Sequence, residues 1–168
     1  MITSVKIKDN TKTPFKYVSD IETFENGREF INPLENTSMS KVYKMPVLRA
    51  FYNEGNVRQE ISEEQLLASW KAFFSTRTNW KDLDKELTYE KYLAISDKDH
   101  LKKILKMPVH YLLESGKGFF VKKERAALAL KDEMKEVLDN PVFIKQMKDV
   151  VEYRTMDYYR RRYKEKDN

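Results

Sequence analysis

The chain has 168 residues, of which 40% are hydrophobic and 35% charged, with 4 Gly, 5 Pro and no Cys. This composition suits one buried core and excludes a disordered chain, a disulfide scaffold and a thiolate metal site. The sequence has no signal-peptide pattern and no apolar run of membrane-spanning length, so we expect a cytoplasmic protein without membrane association.

The formal charge of +5 is concentrated in one segment of the chain. Between Lys98 and Arg125, eight lysines and arginines stand against three acids, so this segment alone carries a net +5. The rest of the chain is balanced. Because the location of charge indicates a partner better than its total does, this segment is the first candidate for binding an anionic polymer.

Residues 1–37 are predicted to form a polar lead-in, weakly structured alone, that docks on the core. The stretch SVKIK alternates as an edge strand does, and Asn10 to Pro14 has the composition of a turn. A domain is expected over residues 38–130, followed by a helical extension over residues 131–168.

Helical periodicity dominates the domain, and three helices are predicted at residues 45–53, 62–74 and 98–114. Pro46 would lie in the first turn of the first helix, where proline costs little, and Gly55 would cap its end. Ser62 and Gln65 form a capping box at the start of the second helix. Asp97 is expected to cap the third, and a short helix is expected from Thr88.

The remaining elements are a hairpin and two further helices. Strands Phe119–Val121 and Ala127–Leu130, joined by a turn at Lys122–Arg125, are predicted to form the hairpin over residues 118–130. The helix-forming character of Ala and Leu argues against the second strand. A short helix is expected in LKDEMKEVLDN, and a long one follows, with Asn140 as its cap and Pro141 in first position.

The tetrapeptide KMPV occurs twice, at Lys44–Val47 and Lys106–Val109. The sequences around the two copies share little beyond helical periodicity, and the pair Pro141–Val142 also opens a helix. We therefore interpret the repeat as a shared way of starting a helix rather than as a duplicated functional element.

The order of three helices and a hairpin predicts a mostly α fold with a winged-helix-like core and a long C-terminal helix. In that fold the third helix enters a groove of nucleic acid and the hairpin touches the backbone. The residues expected to bind phosphates are Lys98, Lys102, Lys103, Lys106, Lys117, Lys122, Lys123 and Arg125. A solvated lysine-rich helix face is the alternative interpretation.

The C-terminal stretch EYRTMDYYRRRYK interleaves tyrosines and arginines, and Arg160, Arg161 and Arg162 could extend a phosphate-binding surface. The same stretch could instead pack on its own domain or on a partner, with tyrosines as half-buried anchors and with Glu152 and Asp157 pairing with arginines one turn away. The pattern favours packing.

Signals for catalysis or a cofactor are weak. His100 and His110 are the only histidines, and their spacing does not match a metal-binding pair. Glu133 and Lys135 fit the E-x-K fragment of some metal-dependent nucleases, but no upstream aspartate on a strand accompanies them. We therefore expect no enzymatic activity, no metal and no cofactor.

Two stretches resemble a known family. Thr37 to Phe51, centred on Lys44-Met45-Pro46, and Asn140 to Arg162 are similar to the domain that follows the motor core in some bacterial restriction- and defence-associated superfamily 2 (DEAD/DEAH-type) helicases. The resemblance implies an accessory module that engages nucleic acid or couples it to a motor or nuclease. It does not imply motor activity, because the chain lacks a Walker loop and an acidic helicase motif, and no catalytic residues carry over from such a domain. Whether it is a stand-alone relative or part of a larger enzyme stays open.

The sequence thus predicts a non-catalytic nucleic-acid-binding accessory module of a bacterial or phage DNA-processing or defence system. DNA is favoured over RNA, and a helicase or nuclease subunit is the expected protein partner. The alternative is a protein-interaction module, an inhibitor or subunit, that docks through its long C-terminal helix.

Overall fold

A computed structural model describes the backbone of residues 14–166 and the side chains of residues 25–165. The fold is mostly helical with two small sheets, which confirms the predicted class. The helices are α1 Pro14–Asn36, α2 Lys44–Ala50, α3 Glu63–Ser75, α4 Tyr89–Leu93, α5 Asp97–Ile104, α6 His110–Ser115 and α7 Pro141–Lys166. The strands are β1 Tyr52–Asn53, β2 Asn56–Val57, β3 Glu60–Ile61, β4 Phe120–Lys123 and β5 Ala126–Leu130.

Helix α1 replaces most of the expected lead-in. The predicted edge strand lies outside the described residues, whereas Pro14, expected to end a turn, begins a 23-residue helix. A proline suits a helix start because its missing N–H would have no partner there. Buried Phe30 anchors α1, with its ring 5.4 Å from that of Phe119 and 5.8 Å from that of Phe143. Within the folded chain this segment is a helix that contacts the core through Phe30, and its weak structure in isolation stays a prediction.

The first helix of the domain is shorter than predicted. It begins at Lys44, so Pro46 does lie in its first turn, but it ends at Ala50. Gly55 is not its cap. With a φ of +75°, this glycine lies in the turn between β1 and β2, where a left-handed conformation favours glycine.

Two of the predicted helix caps, Ser62 and Asn140, are confirmed. The Ser62 side chain accepts a hydrogen bond from the Gln65 N–H at 3.1 Å, and Gln65 Oε1 accepts one from the Ser62 N–H at 3.0 Å. Asn140 Oδ1 accepts from the N–H of Val142 at 2.9 Å and of Phe143 at 3.2 Å. These contacts satisfy donors that a helix start otherwise leaves unpaired.

The predicted single helix at residues 98–114 is interrupted. Ser96 rather than Asp97 caps α5, and a π-helical turn, Leu105–Val109, separates α5 from α6. Pro108 lies in this turn and cannot donate a backbone hydrogen bond, which explains why the regular α-helical pattern widens here. The second KMPV copy is therefore a junction between two helices, while the first copy starts one.

The three-stranded sheet has the order β3-β5-β4, with both pairs antiparallel. The hairpin β4–β5 is present as predicted, with its strands shifted by one or two residues. The segment after β5 forms a 3-10 helix, Asp132–Val137, in place of the predicted α-helix. Another 3-10 helix, Asn79–Asp82, lies in the connection between α3 and α4, and Thr88 caps α4 as expected.

One core joins the helices and the three-stranded sheet. Its centre is aromatic: Trp70 and Phe74 are fully buried with ring centroids 4.5 Å apart, and Tyr43 lies 5.5 Å from Trp70. The hydroxyl of Tyr43 donates to the backbone carbonyls of Asp82 at 3.0 Å and Leu83 at 3.1 Å. The connection between α3 and α4 is thereby held against the core.

Candidate nucleic-acid interface

Helix α5 and the π-helical turn that follows it present a row of exposed lysines. Its N-terminus is fixed by Ser96, whose hydroxyl accepts a hydrogen bond from the Asp99 N–H at 3.1 Å. His100 and Ile104 are buried, whereas Lys98, Lys102 and Lys106 are exposed at four-residue steps. Residues four apart lie on the same side of a helix. The three ammonium groups make no ion pair with any described residue, so they are available to a ligand.

The hairpin and the turn before it add three more exposed cations, Lys117, Lys122 and Arg125. Lys117 and Gly118 have φ values of +51° and +79°, and the Phe119 N–H donates to the Gly116 carbonyl at 3.0 Å, closing a tight turn. A Cβ on Gly116 would lie only 2.5 Å from the carbonyl oxygen of Leu112. The same Cβ would lie 2.6 Å from the ring of Phe120 in β4, so the hairpin packs directly against the end of α6.

Lys103 points away from this row. Its ammonium group donates to the Leu83 carbonyl at 3.0 Å and lies 5.4 Å from the centre of the Tyr43 ring. Burial lowers the pKa of Lys103 below its usual value. The lysine therefore fastens α5 to the connection after α3, which leaves little of its charge for a phosphate.

Lys123 is also engaged within the protein. It pairs with Asp132 at 2.9 Å and with Glu60 at 3.2 Å, and the hydrogen bonds to these carboxylates raise its pKa. Glu60 lies in β3 and Asp132 follows β5, so both acids lie on or next to the sheet that contains the hairpin. Lys123 thus links the hairpin to Glu60 and Asp132, and its charge is balanced within the protein.

The three C-terminal arginines differ from one another. Arg162 pairs with buried Asp82 and also donates to the Tyr158 hydroxyl at 3.1 Å. Arg160 and Arg161 both pair with Asp157, at 3.2 and 3.1 Å, and remain largely exposed. Arg162 is thus an internal contact, and the other two share one acid at the surface.

Sequence reasoning missed two internal contacts of this helix. Arg154 donates to the Glu35 carbonyl at 2.8 Å and also to the Thr37 carbonyl, which binds α7 to the end of α1. Asp82 is only 3% exposed. The sequence around Asp82 does not indicate burial, because a single aspartate in a polar connection is usually exposed to solvent.

The histidines and the E-x-K residues do not form a shared site. His100 is buried and its Nδ1 accepts a hydrogen bond from Trp70 Nε1 at 3.2 Å, while His110 is exposed and pairs with Glu114 at 3.2 Å. Glu133 and Lys135 are exposed on the 3-10 helix that follows the sheet. Among the described side chains, no cluster of three or more His, Asp or Glu residues could hold a metal ion.

Comparison with known proteins identifies no relative of this chain. No protein-family model matches the sequence, and neither a curated protein nor a solved structure matches it. Within residues 14–166, no helix combines the length and the apolar character needed to cross a membrane.

Proposed function

We propose that the protein is a non-catalytic nucleic-acid-binding accessory module of a bacterial or phage DNA-processing or defence system, of the kind associated with helicases. The carrying observation is the group of six exposed cations without an internal ion pair: Lys98, Lys102, Lys106, Lys117, Lys122 and Arg125. Several such charges on one surface gain binding free energy by releasing counterions from the phosphate backbone.

The order of the elements supports a winged-helix assignment. Helix α2, strand β3, helix α3, the α5–α6 unit and the hairpin β4–β5 occur in this order, with β1 and β2 inserted before β3 and α4 inserted before α5, and β3 pairs with β5. In winged-helix proteins the third helix enters a groove and the hairpin reaches the neighbouring backbone. Here the α5–α6 unit and the hairpin are the two elements that carry the exposed cations.

The chemistry of these side chains favours backbone contacts over base readout. Five of the six cations are lysines, which act as point charges, and only Arg125 has the fork that reads guanine edges bidentately. We therefore expect affinity that depends strongly on salt and weakly on sequence. Duplex DNA is the favoured target, because a helix fits its major groove and not that of A-form RNA.

The test is binding of labelled duplex DNA, single-stranded DNA and duplex RNA, followed by fluorescence anisotropy. We expect the duplex DNA to bind, and the Lys102→Glu/Lys106→Glu variant to lose that binding while its thermal unfolding is unchanged. Lys85→Glu, a charge reversal at an exposed lysine in the connection before α4, is the control and should bind as the wild type does. Equal binding by all three proteins would contradict the proposal.

The alternative function is a protein-interaction module, an inhibitor or subunit, that docks through α7. Exposed Tyr153, Met156 and Tyr163 on that helix favour it. The same Lys102→Glu/Lys106→Glu variant separates the two functions, because it should abolish DNA binding and leave capture of a protein partner through α7 intact.

A further inference from the structure

Two exposed rings lie at the C-terminal end of the lysine row formed by Lys98, Lys102 and Lys106. His110 begins α6 and continues the four-residue spacing of these lysines across the π-helical turn. The next residue, Tyr111, is 51% exposed, and its ring lies 5.5 Å from that of His110 in an edge contact. Among the exposed large hydrophobic side chains of the described residues, Tyr111 alone lies on the segment that carries the six exposed cations.

The backbone at Tyr111 is held by the fold, whereas its ring is not used for packing. On either side of it, Val109 and Leu112 are each only 4% exposed, and the Ser115 hydroxyl donates to the Tyr111 carbonyl at 2.6 Å. The ring contacts that of His110 and no other ring among the described residues, and its hydroxyl makes no hydrogen bond with them. The helix thus presents this ring to solvent at a fixed place.

Single exposed apolar side chains are common on protein surfaces, so the charges around the ring decide its role. Exposed Lys106 precedes the two rings and exposed Lys117 follows them, and neither makes an ion pair with a described residue. The acids of this segment are Asp99, Glu114 and Glu124. Glu114 pairs with His110 at 3.2 Å, which leaves two acids against six exposed cations. One of these two, Asp99, lies in the first turn of α5, at the opposite end of the lysine row.

Exposed rings between unpaired cations match the chemistry of an unpaired nucleotide. Its base offers a flat face that stacks on tyrosine or histidine, and its phosphate is attracted by lysine. A base inside a duplex has both faces covered by its neighbours, and exposing it costs unstacking free energy. An unpaired base next to the duplex carries no such cost, so it is the part of a nucleic acid that suits Tyr111 best.

We propose that the target of this surface is duplex DNA with a single-stranded extension, and that an unpaired base next to the duplex stacks on Tyr111. The proposal rests on the proposed function, because the lysine row has to hold the duplex beside the rings. Unwinding of a duplex and staggered cleavage both produce DNA of this form. The stacked base adds affinity that a blunt duplex cannot gain, on the order of tenfold for one base.

The test compares labelled DNAs that share one duplex, either blunt or with a short single-stranded extension of each polarity, by fluorescence anisotropy at a fixed salt concentration. The wild type should bind one of the extended duplexes about tenfold more tightly than the blunt one. Tyr111→Ala should bind the blunt duplex as the wild type does and lose this preference. Tyr111→Phe keeps the ring and should retain it. Tyr153→Ala removes a tyrosine of similar exposure on α7 and is the matched control, which should also retain it.

The outcomes separate this proposal from the proposed function. Equal affinity of the wild type for blunt and extended duplexes overturns the stacking and leaves binding of duplex DNA in place. A preference that persists in Tyr111→Ala does the same. Weaker binding of the blunt duplex by Tyr111→Ala, with unchanged thermal unfolding, also overturns the proposal by assigning the ring to the duplex itself. Absence of binding to every one of these DNAs contradicts both the proposal and the proposed function.

Discussion

Two segments of the chain have similar basic composition and very different environments. On α5 and the hairpin, six lysines and arginines are exposed without an internal ion pair. At the end of α7, Arg162 is bound to buried Asp82, and Arg160 and Arg161 share Asp157. The difference teaches that the cations of a basic stretch are available to a ligand only where the fold provides no acid or carbonyl to engage them.

The same distinction holds inside the first segment. Lys102 and Lys103 are adjacent in sequence, yet only Lys103 reaches the Leu83 carbonyl and the Tyr43 ring. One residue on a helix changes direction by about 100°, which is enough to turn one side chain to solvent and the next to the core. Substitutions of the internal cations are therefore expected to change stability, and substitutions of the exposed cations to change binding.

The largest expected effect comes from Arg162→Ala. Removing the guanidinium leaves the Asp82 carboxylate, 3% exposed, without its cation, which should lower the free energy of unfolding by about 3 kcal/mol or more. Arg161→Ala, a neighbour with an exposed ion pair, should change it by less than about 0.5 kcal/mol. Urea denaturation of both variants checks this, and equal losses would contradict the internal role. Asp82→Asn added to Arg162→Ala should restore part of the stability.

The next effect is a pH dependence of stability that arises from His100. Burial lowers the pKa of this imidazole below 6.5, its value in the unfolded chain. The unfolded chain therefore binds a proton first as the pH falls. Stability is complete above pH 6.5 and declines below it until the folded-state pKa is reached, by at most about 1.4 kcal/mol per pH unit.

The control for this pH dependence is a variant at position 100 that still accepts the hydrogen bond from Trp70 but has no titratable side chain. His100→Gln can still accept from Trp70 Nε1 and should remove the decline just below pH 6.5, measured as the free energy of unfolding at a series of pH values. His110→Gln alters an exposed histidine and should leave the decline in place. A decline that persists in His100→Gln would assign it to another group.

The smallest effect concerns Lys117, an exposed cation held in a left-handed conformation with a φ of +51°. Lys117→Gly relieves this strain and should raise the free energy of unfolding by about 0.5–1 kcal/mol, after allowance for the greater freedom of glycine in the unfolded chain. Lys117→Ala removes the same charge and keeps the left-handed conformation, so its free energy of unfolding should not exceed that of the wild type. Both variants should bind DNA more weakly than the wild type and to the same extent. Their difference in stability then reports the backbone strain, and their shared loss of binding reports the charge.

Local signals explain which parts of the fold the sequence could predict. The capping residues Ser62 and Asn140 act through hydrogen bonds to neighbours within a few residues, so their patterns specified two helix starts correctly. The hairpin β4–β5 also followed from a local pattern. Helix α1 was missed because its polar sequence shows little periodicity, and its stability depends on distant contacts of Phe30 with the hairpin and α7.

The sequence could indicate which segment carries the exposed cations, but not which individual lysines within it turn inward. The charge count selected the segment in which Lys98, Lys102 and Lys106 are exposed, and their role in binding stays a prediction. Which lysines turn inward depends on residues far along the chain, such as Leu83 for Lys103 and Glu60 for Lys123. Sequence spacing alone does not encode these contacts, because they arise only when the elements pack.

The most direct test of the central claim is the salt dependence of duplex DNA binding, measured by fluorescence anisotropy for three proteins. Each phosphate contact contributes about 0.9 to the slope of log K against log salt. For Lys98→Ala/Lys102→Ala/Lys106→Ala we expect a slope shallower than that of the wild type by roughly 2 to 3. For Arg160→Ala/Arg161→Ala we expect the wild-type slope. An unchanged slope in the lysine variant together with a shallower one in the arginine variant would contradict the account.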